Sequence, residues 1–302
     1  DFTGGPKGGV ETEWHTVDIA TCYDAFLDAD AAGLHAMANA SFFQHFPLKD
    51  RYEQKNLPTR ESLAAKGWLG AQRPFVCLYV GDYDSAAWLY EMMPSLWDDP
   101  ARGSIPLGWA FNPALERRFP LGLAHTRATA SENDTFVAGD SGAGYVNPGA
   151  LVPPREHSGL ESGLKRWVDF SRPLLDRWDL KITGFVIDGD APAMNDEVKQ
   201  AYARLSPSGV FAQKLPEYSL VDGVPFLRMG SDLPVEVEAA AQFIAKEAPK
   251  EQAWFRQYRT VLWSPAKHKQ LMDRVKELRP DIEWVDPHAL TLLAKEHFSR
   301  QN

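Results

Sequence analysis

Short apolar, β-branched runs alternate with helical patterns from one end of this chain to the other, and no tandem repeat interrupts them. That alternation constrains the fold more than any other feature. Strands are expected over 15–20, 34–40, 75–80, 105–110, 135–138, 182–187, 210–212, 225–228, 260–263 and 282–285. Helical patterns fall between many of them, most clearly over 85–93, 159–178, 195–205, 235–248 and 265–278. In the second of these, Trp167, Phe170, Leu174 and Leu175 form an apolar stripe at helical spacing. Asp84 is placed to cap the first, and Pro265 after Ser264 suits a helical first turn. Strand–helix alternation over this length predicts a parallel sheet covered by helices. The expected class is α/β, as a TIM-barrel-like (β/α) barrel of about seven or eight parallel strands. An open doubly wound sheet is the competitor, but it would carry a nucleotide fingerprint after its first strand. The glycines at 139, 142 and 144 have the wrong spacing for dinucleotide or P-loop binding.

With 302 residues the chain can bury a full core, and it is read as a single barrel domain over 1–302. A hydrophobic content of 44% with 24% charged residues excludes wholesale disorder. The net charge of −9 repels a phosphate backbone, so nucleic acid is not an expected partner. No run reaches the roughly 18 apolar residues of a membrane span. Two cysteines provide neither a disulfide framework nor a thiolate metal site, and Cys77, mid-strand, reads as a buried thiol. The Gly-rich opening reads as a flexible lead-in over 1–12, and a chain that begins with Asp1 leaves room for a leader or an N-terminal domain ahead of it.

Polar residues at the carboxyl ends of parallel strands share one rim, and this sequence places acidic turns there repeatedly. Asp82 and Asp84 follow the run 75–80, Asp140 follows 135–138, and Asp188 and Asp190 follow 182–187. Trp109 and Asn112 close another strand, while Arg228 and Trp263 end two more. Such a rim suits glycoside cleavage, which needs one protonated carboxyl at the bridging oxygen and a second, ionised one as nucleophile or base. The five aspartates are the catalytic candidates, although Asp and Gly are also common wherever strands turn into helices. The ten tryptophans and nine tyrosines supply rings on which the C–H faces of sugars pack.

Facing DxD turns could instead hold a hard cation such as Ca²⁺ in a metal-assisted hydrolase or lyase, although no cofactor is required by the main reading. Zinc is disfavoured because no histidine pair has ligand spacing. Ser141 in Gly139-Asp-Ser-Gly-Ala begins like a nucleophile elbow but has Ala143 where the last glycine belongs.

The segment Gly142-Ala-Gly144-Tyr145-Val-Asn147-Pro148 resembles the motif that names the GxGYxYP family of putative glycoside hydrolases, with Asn147 in place of the second Tyr. Tyr79-Val-Gly81-Asp82-Tyr83-Asp84 with Trp88, and 102–109 with Asn112-Pro113, are similar to the family's preceding segments, so the strong match covers about residues 75–150. The resemblance implies a barrel-like domain in bacterial glycan breakdown, outside the cytoplasm, with a companion N-terminal domain. It carries over to Asp82, Asp84, Trp109, Asn112 and residues 140–145, and with the strand-end reading the expected pair is Asp82 or Asp84 acting with Asp140 or Asp188. Trp88, Trp109 and Tyr145 would form sugar-facing walls, with Asn112, Ser141, Asn147, Arg228 and Trp263 as further substrate-binding candidates. A non-catalytic carbohydrate-binding barrel is the alternative.

Overall fold

The computed structural model describes residues 12–27, 39–83 and 86–300; Asp84 lies outside them, and only the backbone is described at Asp82 and Trp88. Nine strands form one sheet: β1 Pro74–Tyr83, β2 Leu107–Phe111, β3 Asp134–Ala138, β4 Ile182–Val186, β5 Gly209–Ala212, β6 Tyr218–Val221, β7 Val224–Arg228, β8 Trp254–Val261 and β9 Glu283–Trp284. The order is β6-β7-β5-β4-β3-β2-β1-β8, with β9 beside β1. Every pairing is parallel except the β6–β7 hairpin. The helices are α1 Glu13–Cys22, α2 Ala40–Phe43, α3 Arg60–Ala65, α4 Ala86–Glu91, α5 Met93–Trp97, α6 Pro120–Ala128, α7 Leu164–Arg177, α8 Asp196–Leu205, α9 Val237–Glu247, α10 Pro265–Leu278 and α11 Pro287–Phe298.

The result is a mixed α/β fold built on a curled, mostly parallel sheet, a half-barrel more than a regular closed ring. Its two ends approach each other after β7, where Gly230 N–H donates to the Gln257 carbonyl (2.8 Å) and Leu233 N–H to that of Arg259 (3.1 Å). Strand periodicity sorts the side chains. Phe75, Cys77 and Tyr79 join Ala110, Val137, Ile182, Phe211 and Phe255 in a cluster on the concave side. Val76, Leu78, Val80, Leu107, Trp109 and Phe111 belong to a second cluster, shared with the surrounding helices. Each fully buried side chain of this size contributes about 1.5–3 kcal/mol of hydrophobic stabilisation. Helix α11 lies across the amino ends of the strands. Its Leu290, Leu293 and Ala294 enter the concave cluster, and a Cβ on Gly108 would meet Pro287 at 2.3 Å. Among the described residues no helix is long and apolar enough to cross a membrane.

Several expectations are corrected. Residues 15–20 form part of α1, because Thr12 caps its first turn by accepting from His15 N–H and the buried Val17 and Thr21 fall four apart, on one helical face. Residues 34–38 of the strand expected over 34–40 lie outside the described residues, and Ala40 opens α2. The last long strand is β8, which starts at Trp254 and ends before Leu262, a residue with φ of 52°. Ser264 does cap α10, accepting from Lys267 N–H. Strand β6 and helices α3, α6 and α11 escaped the sequence patterns.

Candidate active site at the carboxyl ends of the strands

Strands β3 and β4 are neighbours in the sheet, which places the turns that follow them, at Asp140 and Asp188, side by side. Ser141 stitches these turns together. Its N–H donates to the Phe185 carbonyl (2.8 Å), and its hydroxyl accepts from Ile187 N–H (2.9 Å) while donating to the Val146 carbonyl (2.7 Å). The Tyr202 hydroxyl in turn donates to the Ser141 carbonyl (2.6 Å). With both hydrogen-bonding capacities of its hydroxyl committed, Ser141 is a structural residue of the turn, not a nucleophile or a sugar ligand. Asp140 and Ser141 adopt φ of 49° and 69°, and Gly142 and Gly144 both lie at 131°, where only glycine sits without strain. The named motif is therefore a left-handed backbone path, and a Cβ on Gly142 would come within 3.1 Å of the Trp167 ring.

Asp188 is fully buried. One carboxyl oxygen accepts from Lys214 N–H (2.8 Å), and Asp188 N–H donates to the Gln213 side-chain carbonyl (3.0 Å). The other oxygen, Oδ1, is buried with no hydrogen-bond partner among the described residues. Burial pushes this carboxyl above the ordinary aspartate range, against the lowering pull of Lys214. The Lys214 ammonium straps the same turn, donating to the carbonyls of Gly189 (2.8 Å) and Ala191 (2.6 Å). Asp140 is also buried, at 4% exposure. Asp190 is half exposed and sits 3.6 Å from His15 Nδ1.

The segment 12–27 closes over these turns. Leu27 pairs with Tyr145 through two backbone hydrogen bonds, and Asn147 donates from its backbone N–H to Thr21 Oγ1 (3.2 Å) and from its amide to the Trp14 carbonyl (3.2 Å). A Cβ on Gly189 would lie 2.6 Å from the Asn147 amide, so this side chain wedges between α1 and the Asp188 turn. The buried Arg155 anchors the segment to Asp24 (2.7 Å) and to the Thr21 carbonyl (2.8 Å). Asp18 of α1 lies 3.5 Å from His157 Nε2, and burial raises its carboxyl.

The remaining candidates are placed differently from the expectation. Trp109 has the outward parity of β2; it is fully buried, packs on Trp97 and donates to Asp134 (2.8 Å), so it is no sugar-facing wall. Tyr145 is buried in the concave cluster beside α1. Asn147 is likewise fully buried; its amide nitrogen is committed to α1, and its Oδ1 has no hydrogen-bond partner among the described residues. Asn112 is buried and caps a 3-10 turn at Pro113–Arg117 by accepting from Ala114 N–H (2.9 Å). Arg228 points outward to Glu217 (3.9 Å), and Trp263 is buried against His268 with the Lys267 ammonium 3.9 Å from its ring centre. Among the described residues no group of three or more His, Cys, Asp or Glu is placed to hold a metal ion.

Three participants were missed. Gln213 and Lys214 follow β5, the next strand end, and applying the strand-end rule there would have found them. Arg259, paired with Asp232 at 3.1 Å and lying over the Phe185 ring, comes from a strand that was expected to begin after it.

A crystal structure of a putative hydrolase from Bacteroides thetaiotaomicron VPI-5482 is similar to this chain with a TM-score of 0.66 at 17% identity, over 94% of this chain and 55% of that one. That likeness shows the fold, and the chain spans about half the length of that neighbour. A comparison with curated proteins finds no match. The family comparison is more specific: residues 72–295 match the GxGYxYP putative glycoside hydrolase C-terminal domain, and the chain belongs to that family.

Proposed function

We propose that this domain hydrolyses a glycan with paired aspartate carboxylates at the carboxyl rim of a barrel-like sheet. The observation that carries the reading is Asp188, a buried carboxyl at the end of β4 that burial raises above the ordinary aspartate range. A protonated carboxyl is what a general acid needs before it can give its proton to the departing sugar oxygen. Asp140, on the adjacent strand end, is the partner best placed to act as nucleophile or base, and Asp82 at the end of β1 is the next candidate. Family membership supports a carbohydrate as the substrate class. For substrate to reach Asp188, segment 12–27 must move aside.

A non-catalytic carbohydrate-binding domain is the second reading. It is favoured by the sealing of Asp188, whose bond to Lys214 N–H also serves the turn itself. An extracytoplasmic location and a companion N-terminal domain belong to the same proposal. The test is turnover of a panel of aryl glycosides and polysaccharides by the parent and by Asp82→Asn, Asp140→Asn and Asp188→Asn. Loss of turnover by about 10²–10⁴-fold in Asp188→Asn with the fold retained supports hydrolysis. No turnover by the parent, with glycan binding intact, supports the second reading.

A further inference from the structure

Helix α1 is fastened over the rim by polar groups more than by apolar ones. Of its buried residues Val17, Asp18, Thr21 and Cys22, two are polar, and the cluster that Cys22 joins holds only Ala150 and Ala191 besides. Sparse apolar burial marks an element that opens locally while the sheet beneath it stays folded. Across this seam four titratable groups meet in two crossed pairs. His15 Nδ1 of α1 lies 3.6 Å from Asp190, in the turn after β4, and Asp18 of α1 lies 3.5 Å from His157 Nε2. The two imidazole rings stand edge to face, with centres 5.7 Å apart. Each side of the seam thus supplies one histidine and one aspartate, and each faces the opposite kind.

We propose that this quartet is a pH-dependent clasp, which holds α1 down over the rim in acid and releases it as pH rises. A histidine ordinarily changes charge between about pH 5 and 8. With both imidazoles protonated, two cations alternate with two carboxylates and the quartet is balanced. With both neutral, Asp18 on α1 and Asp190 on the body are left as like charges across the seam. Asp18 works in the same direction. Burial raises its carboxyl, His157 and His15 pull it back, and Asp190 adds to the rise, so its share of the closure is present in acid and lost as pH rises through the closed-state value. The other charged groups about the seam are Glu13, Glu156, Lys214, which straps the Asp190 turn, and Arg155 and Arg166, both on Asp24. The Cys22 thiol is raised by burial and stays neutral. The Asp24 ion pairs and the backbone bonds between Leu27 and Tyr145 involve no histidine, so they anchor the end of the segment from which α1 swings. The proposal rests on α1 covering the rim and not on the chemistry performed there.

The chain reports on the clasp through its two cysteines, both buried: Cys22 under the end of α1 and Cys77 inside the sheet. Labelling by 4,4′-dithiodipyridine is followed for each by peptide mass spectrometry at about pH 5.5 and about pH 8, and every rate is divided by that of a free thiol at the same pH. In the parent the referenced Cys22 rate should rise about tenfold or more between the two, with Cys77 protected throughout. In His15→Gln/His157→Gln the rate should already be high in acid and change by less than about twofold. Asp18→Asn, which removes one of the two facing carboxylates, should stay slow at the higher pH. Circular dichroism at both pH values confirms that each variant is folded. A referenced Cys22 rate that does not change with pH in the parent overturns the proposal, as does a rise that persists undiminished in the folded double variant. Cys77 rising in step with Cys22 also overturns it, by assigning the exposure to global unfolding. Failure of the hydrolytic reading shows separately, as absent turnover in the parent.

Discussion

The side-chain amide of Gln257 on β8 donates to the backbone carbonyl of Gly184 on β4, 2.6 Å away, although three strands separate β8 from β4 in the sheet. Only a strongly curled sheet brings those two together, so this bond crosses the concave side. The Gln257 carbonyl oxygen meanwhile faces the Cys77 thiol at 3.7 Å. Gln257→Leu should strand the Gly184 carbonyl and cost about 1–3 kcal/mol, measured as a lower urea midpoint with an unchanged slope.

Ser141→Ala should destabilise by a similar amount, about 1–3 kcal/mol, because Ile187 N–H and the Val146 carbonyl lose their shared partner in a buried turn. Hydrolysis, where present, should also fall, since the hydroxyl holds the turns of Asp140 and Asp188 in register. Retention of full activity with full stability in Ser141→Ala would contradict that role.

Asp188 gives a pH dependence with a definite sign. Its folded pKa is raised, so the protonated form is favoured in the fold, and the associated stability is present below the ordinary aspartate range and lost as pH rises through the folded value. Asp188→Asn, which keeps an acceptor for Lys214 N–H, should therefore match the parent at acid pH and exceed its stability at neutral pH. If Asp188 is the general acid, kcat of the parent falls on that same alkaline limb, and the limb is absent from the residual activity of the variant.

His268 has the opposite behaviour. It is buried against Thr260 Oγ1 at 2.8 Å, and burial depresses its imidazole from 6.5 to about 3, so the fold requires the neutral ring. That stability is present above about pH 6.5 and is lost as pH falls towards 3. His268→Asn should flatten the acid limb of a stability profile, at a cost at neutral pH of about 1–3 kcal/mol from the altered packing.

Arg155→Met should loosen the segment over the rim. The variant leaves the Asp24 carboxylate with Arg166 as its remaining ion-pair partner and removes one of the two donors to the Thr21 carbonyl, which keeps the Asp24 N–H. Hydrogen exchange in α1 should speed up at least tenfold while the amides of β1 to β4 stay protected. Uniform acceleration throughout the sheet would instead mark Arg155 as a global stabiliser.

How much of this was legible beforehand depended on pattern length. Strands β1, β3, β4, β5 and β7 carry runs that are mostly apolar or β-branched, and α8 and α10 have caps at Asn195 and Ser264, so these stood out. Residues 15–20 alternate convincingly, yet one side-chain bond from Thr12 and contacts far along the chain decide for helix. Strand β8 was truncated because Arg256, Gln257 and Arg259 look like surface residues, whereas each is held by a partner far along the chain, Glu217, Gly184 and Asp232 respectively. The acidic turns were found through the strand-end rule alone. What no local pattern reveals is facing: Trp109 lies within β2 and Asn112 directly follows it, and side-chain parity and capping turn both into the interior.

Tyr79 lies against three glycines, two of them on strands and one just past the end of a third. A Cβ at Gly81, Gly139 or Gly184 would come within 2.0, 3.0 and 3.0 Å of its ring or hydroxyl. The missing side chains on β1, on β4 and just beyond β3 are thus replaced by one phenol, which acts as a floor beneath the rim. With that ring packed between the strands, no open shaft runs down the middle of the sheet at this level.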